Sequence, residues 1–500
     1  MQNYKQLRKK RIDEIRTKKS AWWRTVRDKE LMRIFRIASN TTPAYKDFLK
    51  KHHFKSRTVK RPDDLSHLPS ITKKNYLRRY SLSERMTNGK IDNPLVFSST
   101  SGSTGNPSYF ARDEAIDFQT SIIHELFFRN DSRLLKSPTL VIDCFGMGVW
   151  IGGIITYQAF TMMRDEGYPI SIITPGINKE EIFRALKNLK KEYPNIILIG
   201  YPPFIKDIVD EAKTRKINLK KNNLKIIFAA EAFNEKFRNH ICQSAGIQNP
   251  LTDTMNIYGT AELGATAFET PLSILIRRLI FKKKSISSEI LPDTKRTPTL
   301  AQFNPMFTPI QEDDGRLLLS GNHSAPLLRY DIGDRGGVIE FDAMVKMLKK
   351  HGIDLRREAS KAGISPFWYE MPFMFIYERA DMSTTLYGLQ IYPEPIRNVL
   401  LSTPLRKYFT GKLTLVTKFD RKQNQYLEIN LELKKDAKHS KVLELKTLEH
   451  VLNDLLKHNS EFRELYEFLG KRAIPVLKIW EAEHPLHFRL GIKQRWSKKN

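Results

Sequence analysis

Five hundred residues suffice for a large core and about two to four domains. Forty per cent hydrophobic and ten per cent aromatic residues exclude a disordered chain, and two cysteines, Cys144 and Cys242, exclude a disulfide framework or a multi-cysteine zinc site. The net charge of +29 calls either for an anionic partner or for a solvated basic surface.

The first sixty residues hold nineteen Lys/Arg against five Asp/Glu. Leu31, Ile34, Phe35 and Ala38 recur at helix spacing, so 4–60 is expected to be helical. No apolar segment follows the basic start, and no secretory signal is read there. Trp22 and Trp23 lie within it, and a second basic, apolar stretch runs from Leu275 to Lys284. Basic residues beside tryptophan, isoleucine and phenylalanine suit an anionic membrane surface, the alternative to a simple solvated face. A nucleic-acid partner is not expected.

Residues 97–108 carry the strongest local signal. Directly after Pro94-Leu95-Val96-Phe97, the chain sets the hydroxyls of Thr100, Ser101, Ser103 and Thr104 among Gly102 and Gly105. Glycine admits backbone angles that turn successive N–H groups toward an anion, and the hydroxyls add donors. This is a phosphate cradle, distinct from the common P-loop because no Gly-Lys-Ser/Thr follows.

From about residue 138 short β-branched runs alternate with helical patterns. Strands are expected at 139–142, 170–173, 195–199 and 224–228, with a helix between the second and third that sets Ile182, Phe183, Leu186 and Leu189 on one face. Runs apolar on both faces predict a parallel sheet covered by helices. The uncharged run Cys144–Met163 nears membrane-spanning length but is broken by Gly146, Gly148, Gly152 and Gly153, so it reads as strand, turn and helix. Phe228-Ala229-Ala230-Glu231-Ala232-Phe233 ends a strand in small residues, which lets a flat base approach the backbone. Ile257 to Gly264 sets Tyr258, Gly259, Thr260 and Glu262 about a tight turn, where the carboxylate suits a hard cation such as Mg²⁺. Leu327 to Asp334 puts Asp334 after a glycine turn, apt for accepting from paired ribose hydroxyls. A helical insertion is expected at 341–372. Beyond it, strands at 413–418 and 426–433, a helix carrying Val442, Leu445, Leu448, Val451, Leu452 and Leu455, and a strand at 476–480 predict a small α+β unit.

The order of these motifs resembles the adenylate-forming (AMP-forming) ligase superfamily, within it the phenylacetate–CoA ligase-like branch that includes proteins found with capsule-polysaccharide genes. The likeness runs from about residue 30 to the C-terminus, and Leu65 to Lys73 resembles the lead-in to that branch's phosphate loop. It implies an α/β large domain over 1–380, with helix-covered, largely parallel sheets, and a small mobile α+β lid over 381–500. It implies that Thr100 to Gly105 hold the ATP phosphates, that Ala230, Glu231, Ala232, Tyr258, Gly259 and Thr260 line the adenine site with Arg379 nearby, and that Asp334 grips the ribose. Glu262 would bind Mg²⁺, Asp381 would be the hinge, and Lys493 the catalytic lysine, with Lys498 next in line. Tyr387 to Pro393 resembles the loop that enters the site after the lid rotates. Glu378 stands where the family's hinge motif has glycine; Glu269 and Thr270 stand where a zinc-ligating cysteine often lies, so no zinc is expected. The implied activity is ATP-dependent activation of a small carboxylic acid, pyrophosphate release, and transfer to the CoA thiol, in the cytoplasm or at the inner membrane surface. The alternatives are transfer to an amine, a sugar hydroxyl or a protein thiol, or a decayed ATP site on a protein that binds anionic membrane. Phe145, Met147, Trp150 and Tyr201 are the candidate lining of an aromatic or apolar acid pocket.

Overall fold

The computed structural model describes residues 4–91, 95–100, 108–282, 284–291, 298–377, 384–391, 393–402, 404–484 and 487–488. Three helices, Tyr4–Thr17, Ser20–Thr41 and Pro43–Lys51, open the chain. Leu31, Ile34, Phe35 and Ala38 are buried together with Ile71, Leu317, Leu319 and Tyr330, so the basic start is a wall of the core rather than a free tail. A two-residue strand, β1 (Ile71–Thr72), and a hairpin of β2 (Val96–Thr100) and β3 (Ser108–Arg112) follow. Thr100 pairs with Ser108, and residues 101–107 lie outside the described residues.

The parallel half of the sheet contains β4 (Thr139–Asp143), β5 (Ile170–Ile173), β6 (Asn195–Gly200), β7 (Asn223–Ala229) and β8 (Thr254–Thr260), in the order β5-β4-β6-β7-β8. Every residue of β4 and β6 is buried, as expected of strands covered on both faces. Helices Ile151–Asp165, Lys179–Asn188, Pro202–Thr214 and Glu235–Ala245 connect these strands. The first of these follows β4 through a turn, as the glycines of the 144–163 run require. Among the described residues no helix is long and apolar enough to cross a membrane.

The sheet then continues antiparallel through β9 (Gly264–Phe268), β10 (Thr299–Phe303), β11 (Ile310–Asp313), β12 (Arg316–Gly321), β13 (Leu327–Ile339) and β14 (Phe373–Tyr377). With β1 paired in parallel to β13, the described residues form one twelve-stranded sheet, half of it antiparallel. Helices Phe341–Lys350 and Leu355–Lys361 occupy the expected insertion.

The C-terminal domain has the hairpin β15 (Thr384–Leu386) and β16 (Leu389–Ile391), then β17 (Phe409–Phe419), β18 (Gln425–Leu433) and β19 (Val476–Trp480). β17 and β18 are antiparallel, β18 and β19 parallel, with helices Pro393–Leu401, Lys441–His458 and Ser460–Leu469 building the rest. The boundary expected at 380/381 lies outside the described residues. Within Lys441–His458 the buried stripe is Leu443, Thr447, Val451 and Leu455, whereas Val442 and Leu445 are exposed. Apolarity alone therefore misassigns two positions of that face.

The membrane expectation finds no support. Trp23 is fully buried and Trp22 packs edge-on against it at 4.7 Å. Leu275, Ile276, Leu279 and Ile280 lie in the core, and Arg277 is buried beside Glu235 (3.2 Å) and Glu269 (3.4 Å). The side chains that would enter a bilayer are already spent on packing. Cys144 and Cys242 are buried and unpaired.

Candidate active site

The carboxyl end of β7 begins the site. Ala230, just past the strand, has φ 73°, a left-handed turn that aims the Ala230-Glu231-Ala232 backbone into a cleft between the domains. The Glu231 carbonyl accepts from Asn256 Nδ2 (3.1 Å). Its carboxylate faces the C-terminal domain: Oε1 accepts from the Gly388 backbone N–H and Oε2 from Gln425 Nε2 (3.1 Å). Gln425 Oε1 in turn accepts from Tyr387 N at 2.6 Å, so one carboxylate–amide pair seats the β15–β16 turn.

β8 contributes the second wall. Tyr258 Oη donates to Asp334 Oδ2 at 2.6 Å across from β13. Thr260 Oγ1 accepts from Leu263 N (3.0 Å) and closes the turn carrying Glu262. Gly259 is required there, because a Cβ would lie 2.8 Å from Gly264 O. Glu262 is buried; its Oε1 accepts from Tyr330 Oη at 2.7 Å and lies 3.3 Å from Lys73 Nζ. The β1–β13 register explains this convergence. Ile71 stands opposite Tyr330, so Lys73, two residues on, reaches the carboxylate that Tyr330 holds.

These groups enclose a cavity of about 350 Å³. Ala230, Glu231, Ala232, Tyr258, Gly259, Thr260, Glu262 and Asp334 all line it, as do Phe145, Trp150 and Tyr201. Met147 is not on its wall; its Sδ lies against Gly153. Ser99 lines the cavity and its N–H donates to Val149 O at 2.9 Å, which holds the β2–β3 hairpin beside the helix Ile151–Asp165. Of the expected phosphate-loop residues only the backbone of Thr100 is described; Ser101, Gly102, Ser103, Thr104 and Gly105, with Arg379, Asp381, Lys493 and Lys498, lie outside the described residues. Lys73, Tyr330, Gln425 and His124 belong to the site without a local sequence signal for a role.

A smaller cavity of about 70 Å³ abuts the first, sharing Trp150, Tyr201 and Gly388 and adding Phe204, Leu389, Glu464 and Phe468. It lies where the domains meet. Arg472 bridges that seam, donating to both oxygens of buried Asp207 (3.0 and 3.1 Å) and to Tyr387 Oη (2.6 Å). Lys206 Nζ donates to Asn424 Oδ1 at 3.1 Å, and Phe204 meets Phe468 edge-on at 4.7 Å. Burial pushes the Glu464 carboxyl up and lowers His124 to about 4. Asp117, beneath the β2–β3 hairpin, rises to about 6 through burial despite Arg112 beside it.

The donor set suits Mg²⁺ in the manner of nucleotide enzymes. Glu262, one of three buried carboxylates on the cavity wall with Glu231 and Asp334, faces room for phosphate oxygens and water, and Mg²⁺ takes most of its ligands from those. Among the described residues no cluster of three or more metal-ligating side chains exists.

No protein-family model and no curated protein sequence matches the chain. Solved structures do. 2-Hydroxyisobutyryl-CoA ligase with 2-HIB-AMP and CoA, in its thioesterification state, matches with TM-score 0.65 at 14% identity, covering 97% of this chain and 91% of that one. The same enzyme in its postadenylation state with 2-HIB-AMP gives TM-score 0.53 at 14% identity, over 98% and 92%. Its open conformation gives 0.52 at 14% identity, over 94% and 90%. The large parallel-rich sheet and small C-terminal domain of this chain are thus the adenylate-forming enzyme fold.

Proposed function

We propose that the chain is an AMP-forming carboxylate–CoA ligase of the phenylacetate–CoA ligase-like kind. The observation that carries this is the convergence on one interdomain cavity of Asp334 with Tyr258, the small-residue end of β7, and Glu262 with Lys73. In this reading the Ala230–Ala232 backbone and Tyr258 hold the adenine, and Asp334 accepts from the ribose hydroxyls. The loop 100–105 cradles the phosphates, and Glu262 holds Mg²⁺, which when bound offsets phosphate charge.

The chemistry is two displacements. A carboxylate oxygen of the acid forms a bond to the α-phosphorus of ATP, the α–β phosphoanhydride bond breaks, and pyrophosphate leaves. Both reactants are anionic, so positioning and charge neutralisation carry the catalysis. Lys493 supplies a charge at the α-phosphate in this step. Rotation about Asp381 then removes it and brings in the Tyr387–Gly388 turn, a hinge motion of the kind that separates half-reactions. The CoA thiolate next attacks the acyl carbon and AMP leaves. The seated Gly388 turn and the higher score against the thioesterification state support a transfer-competent arrangement of the domains. The smaller cavity, lined by Trp150, Tyr201 and Phe468, is the entry for the thiol arm. Consumption of ATP and CoA, with two unpaired buried thiols, fits a cytoplasmic enzyme.

The test is product analysis by mass spectrometry after incubation with ATP, Mg²⁺, a panel of acids and CoA. Acyl-CoA and AMP in equal amounts support the reading. AMP with an amide or ester only when amines or sugars replace CoA would move the acceptor, and no AMP with any acid would refute activation.

A further inference from the structure

Residues 230–234 join β7 to the helix Glu235–Ala245 and belong to neither, so their backbone groups need partners outside regular structure. Two of the carbonyls are held by side chains. Asn256 Nδ2 donates to Glu231 O at 3.1 Å, and Arg277 Nη2 donates to Phe233 O. Both donors lead back to Glu269. Its Oε2 accepts from the Asn256 backbone N–H at 3.0 Å, its own N–H donates to Asn256 O at 2.9 Å, and its Oε1 lies 3.4 Å from Arg277 Nη1. Arg238 completes the set. Its Nη2 meets both Glu269 oxygens at 2.7 Å, its Nη1 donates to Thr254 Oγ1 at 2.7 Å, and the guanidinium lies over the Phe233 ring, 4.9 Å from its centre.

Glu269, Arg238 and Arg277 are at most 2% exposed, and none of them lines the cavity. Glu235 joins them, meeting Arg238 at 3.1 Å, Arg277 at 3.2 Å and Arg278 at 2.7 Å. A buried ion cluster is a poor source of net stability, because desolvation offsets much of the attraction. What this one supplies is direction. Glu269 holds Asn256 by its N–H and its C=O, and the Asn256 amide meets Glu231 O; it holds Arg277, which meets Phe233 O. The turn is braced from behind at two points, while its front, Ala230 to Ala232, lines the cavity. Ala230 itself keeps a left-handed φ of 73°, a conformation costly for alanine that persists only where the surroundings impose it.

Resting on the reading in which Ala230 to Ala232 hold the adenine, we infer that Glu269 is a positioning residue for the nucleotide. Through Asn256 and Arg277 its carboxylate preforms the base-binding turn before ATP arrives. ATP then binds without the cost of ordering that turn, and the affinity is higher by that amount.

The test is acid-dependent exchange of labelled pyrophosphate into ATP by the full chain, with KM for ATP and KM for pyrophosphate measured separately. Glu269→Gln keeps the size of the side chain, but its single oxygen cannot serve both Arg238 and Asn256. KM for ATP should rise on the order of 10-fold, with kcat and KM for pyrophosphate near wild type, because pyrophosphate has no base to place against the turn. Arg277→Lys keeps the charge, loses the fork and should show the same split. Adding Arg277→Met to Glu269→Gln restores the charge balance without the bond to Phe233 O, so the raised KM should persist. Thermal unfolding establishes which variants are folded. Return of KM for ATP to wild type in the double variant reduces the cluster to charge balance and overturns the inference. An unchanged KM for ATP in either folded single variant, or an equal rise in both KM values, overturns it and leaves adenylation standing. Failure of both single variants to fold makes the cluster a structural one and overturns it too. No exchange by the wild type with any acid removes the adenylation reading and this inference together.

Discussion

Gly388→Ala is expected to separate the two proposed half-reactions by a single methyl group. Gly388 sits at φ +84°, and a Cβ there would lie 2.3 and 2.6 Å from Cδ1 and Cε1 of Tyr201. Ordinary carbon contacts are about 3.5–4.0 Å, so the ring would have to move by more than an ångström. It has little room, because it packs edge-on against Phe145 at 4.9 Å. A left-handed alanine costs about 1–2 kcal/mol, and overpacking of this kind about 1–3 kcal/mol. Together, about 2–5 kcal/mol weighs against the docked turn, a fall of roughly 30- to 5,000-fold in its population. The chain escapes the clash by undocking the small domain, so the fold itself survives. Rapid-quench transfer from preformed acyl-adenylate to CoA should slow by that factor, with pyrophosphate exchange into ATP near the wild-type rate. Adding Tyr201→Ala should recover the packing part and leave the backbone part. Wild-type transfer by Gly388→Ala, or equal loss of both half-reactions in a folded protein, would refute the assignment of this turn to transfer.

Three further outcomes are expected. Asp334→Ala removes the acceptor now held by Tyr258; at about 1.5–3 kcal/mol per bond to a charged group, calorimetric ATP affinity should fall roughly 10- to 150-fold, and an unchanged Kd would exclude the ribose role. Lys73→Met leaves buried Glu262 without its cation and should cost about 3 kcal/mol or less in urea unfolding, since Lys73 is partly exposed; Glu262→Gln in the same chain should restore most of it, and additive losses would show the two to be uncoupled. His124, lowered to about 4, takes up its proton later in the fold than in the unfolded chain, so its own contribution to wild-type stability falls by up to about 3 kcal/mol from pH 6.5 to 4. Asp117, raised to about 6, acts oppositely over nearly the same window, taking up its proton first in the fold and flattening the wild-type curve. His124→Phe should therefore gain stability relative to wild type on acidification; parallel curves from pH 7 to 4.5 would contradict a buried neutral histidine.

The parallel half of the sheet was legible because β4, β6 and β7 are short apolar runs with buried faces on both sides. The antiparallel half was not. β13 contains Asp331, Asp334, Arg335 and three glycines, which reads as a turn. Two of those glycines, Gly336 and Gly337, are instead where neighbouring structure comes closest: a Cβ on Gly336 would lie 2.1 Å from Phe375 O, and one on Gly337 2.5 Å from the Phe375 ring. The 441–458 helix shows the complementary error, since an apolar residue such as Val442 carries no mark of the face it will occupy. The site follows the same division. Residues that act through local backbone shape, such as Ala230 and Gly259, stand in recognisable strings. Lys73 meets Glu262 across 189 positions, and Gln425 meets Glu231 across 194, through strand register and domain docking that no local string encodes.

Activation of an acid at the β7–β8 end of the sheet is tested most directly by exchange of labelled pyrophosphate into ATP. Full-length protein with Mg²⁺ should incorporate label only when an accepted acid is present, and Asp334→Ala should need far more ATP to do so. Absence of acid-dependent incorporation across a broad panel of plain and hydroxylated acids, from a folded protein, would contradict adenylation at this site.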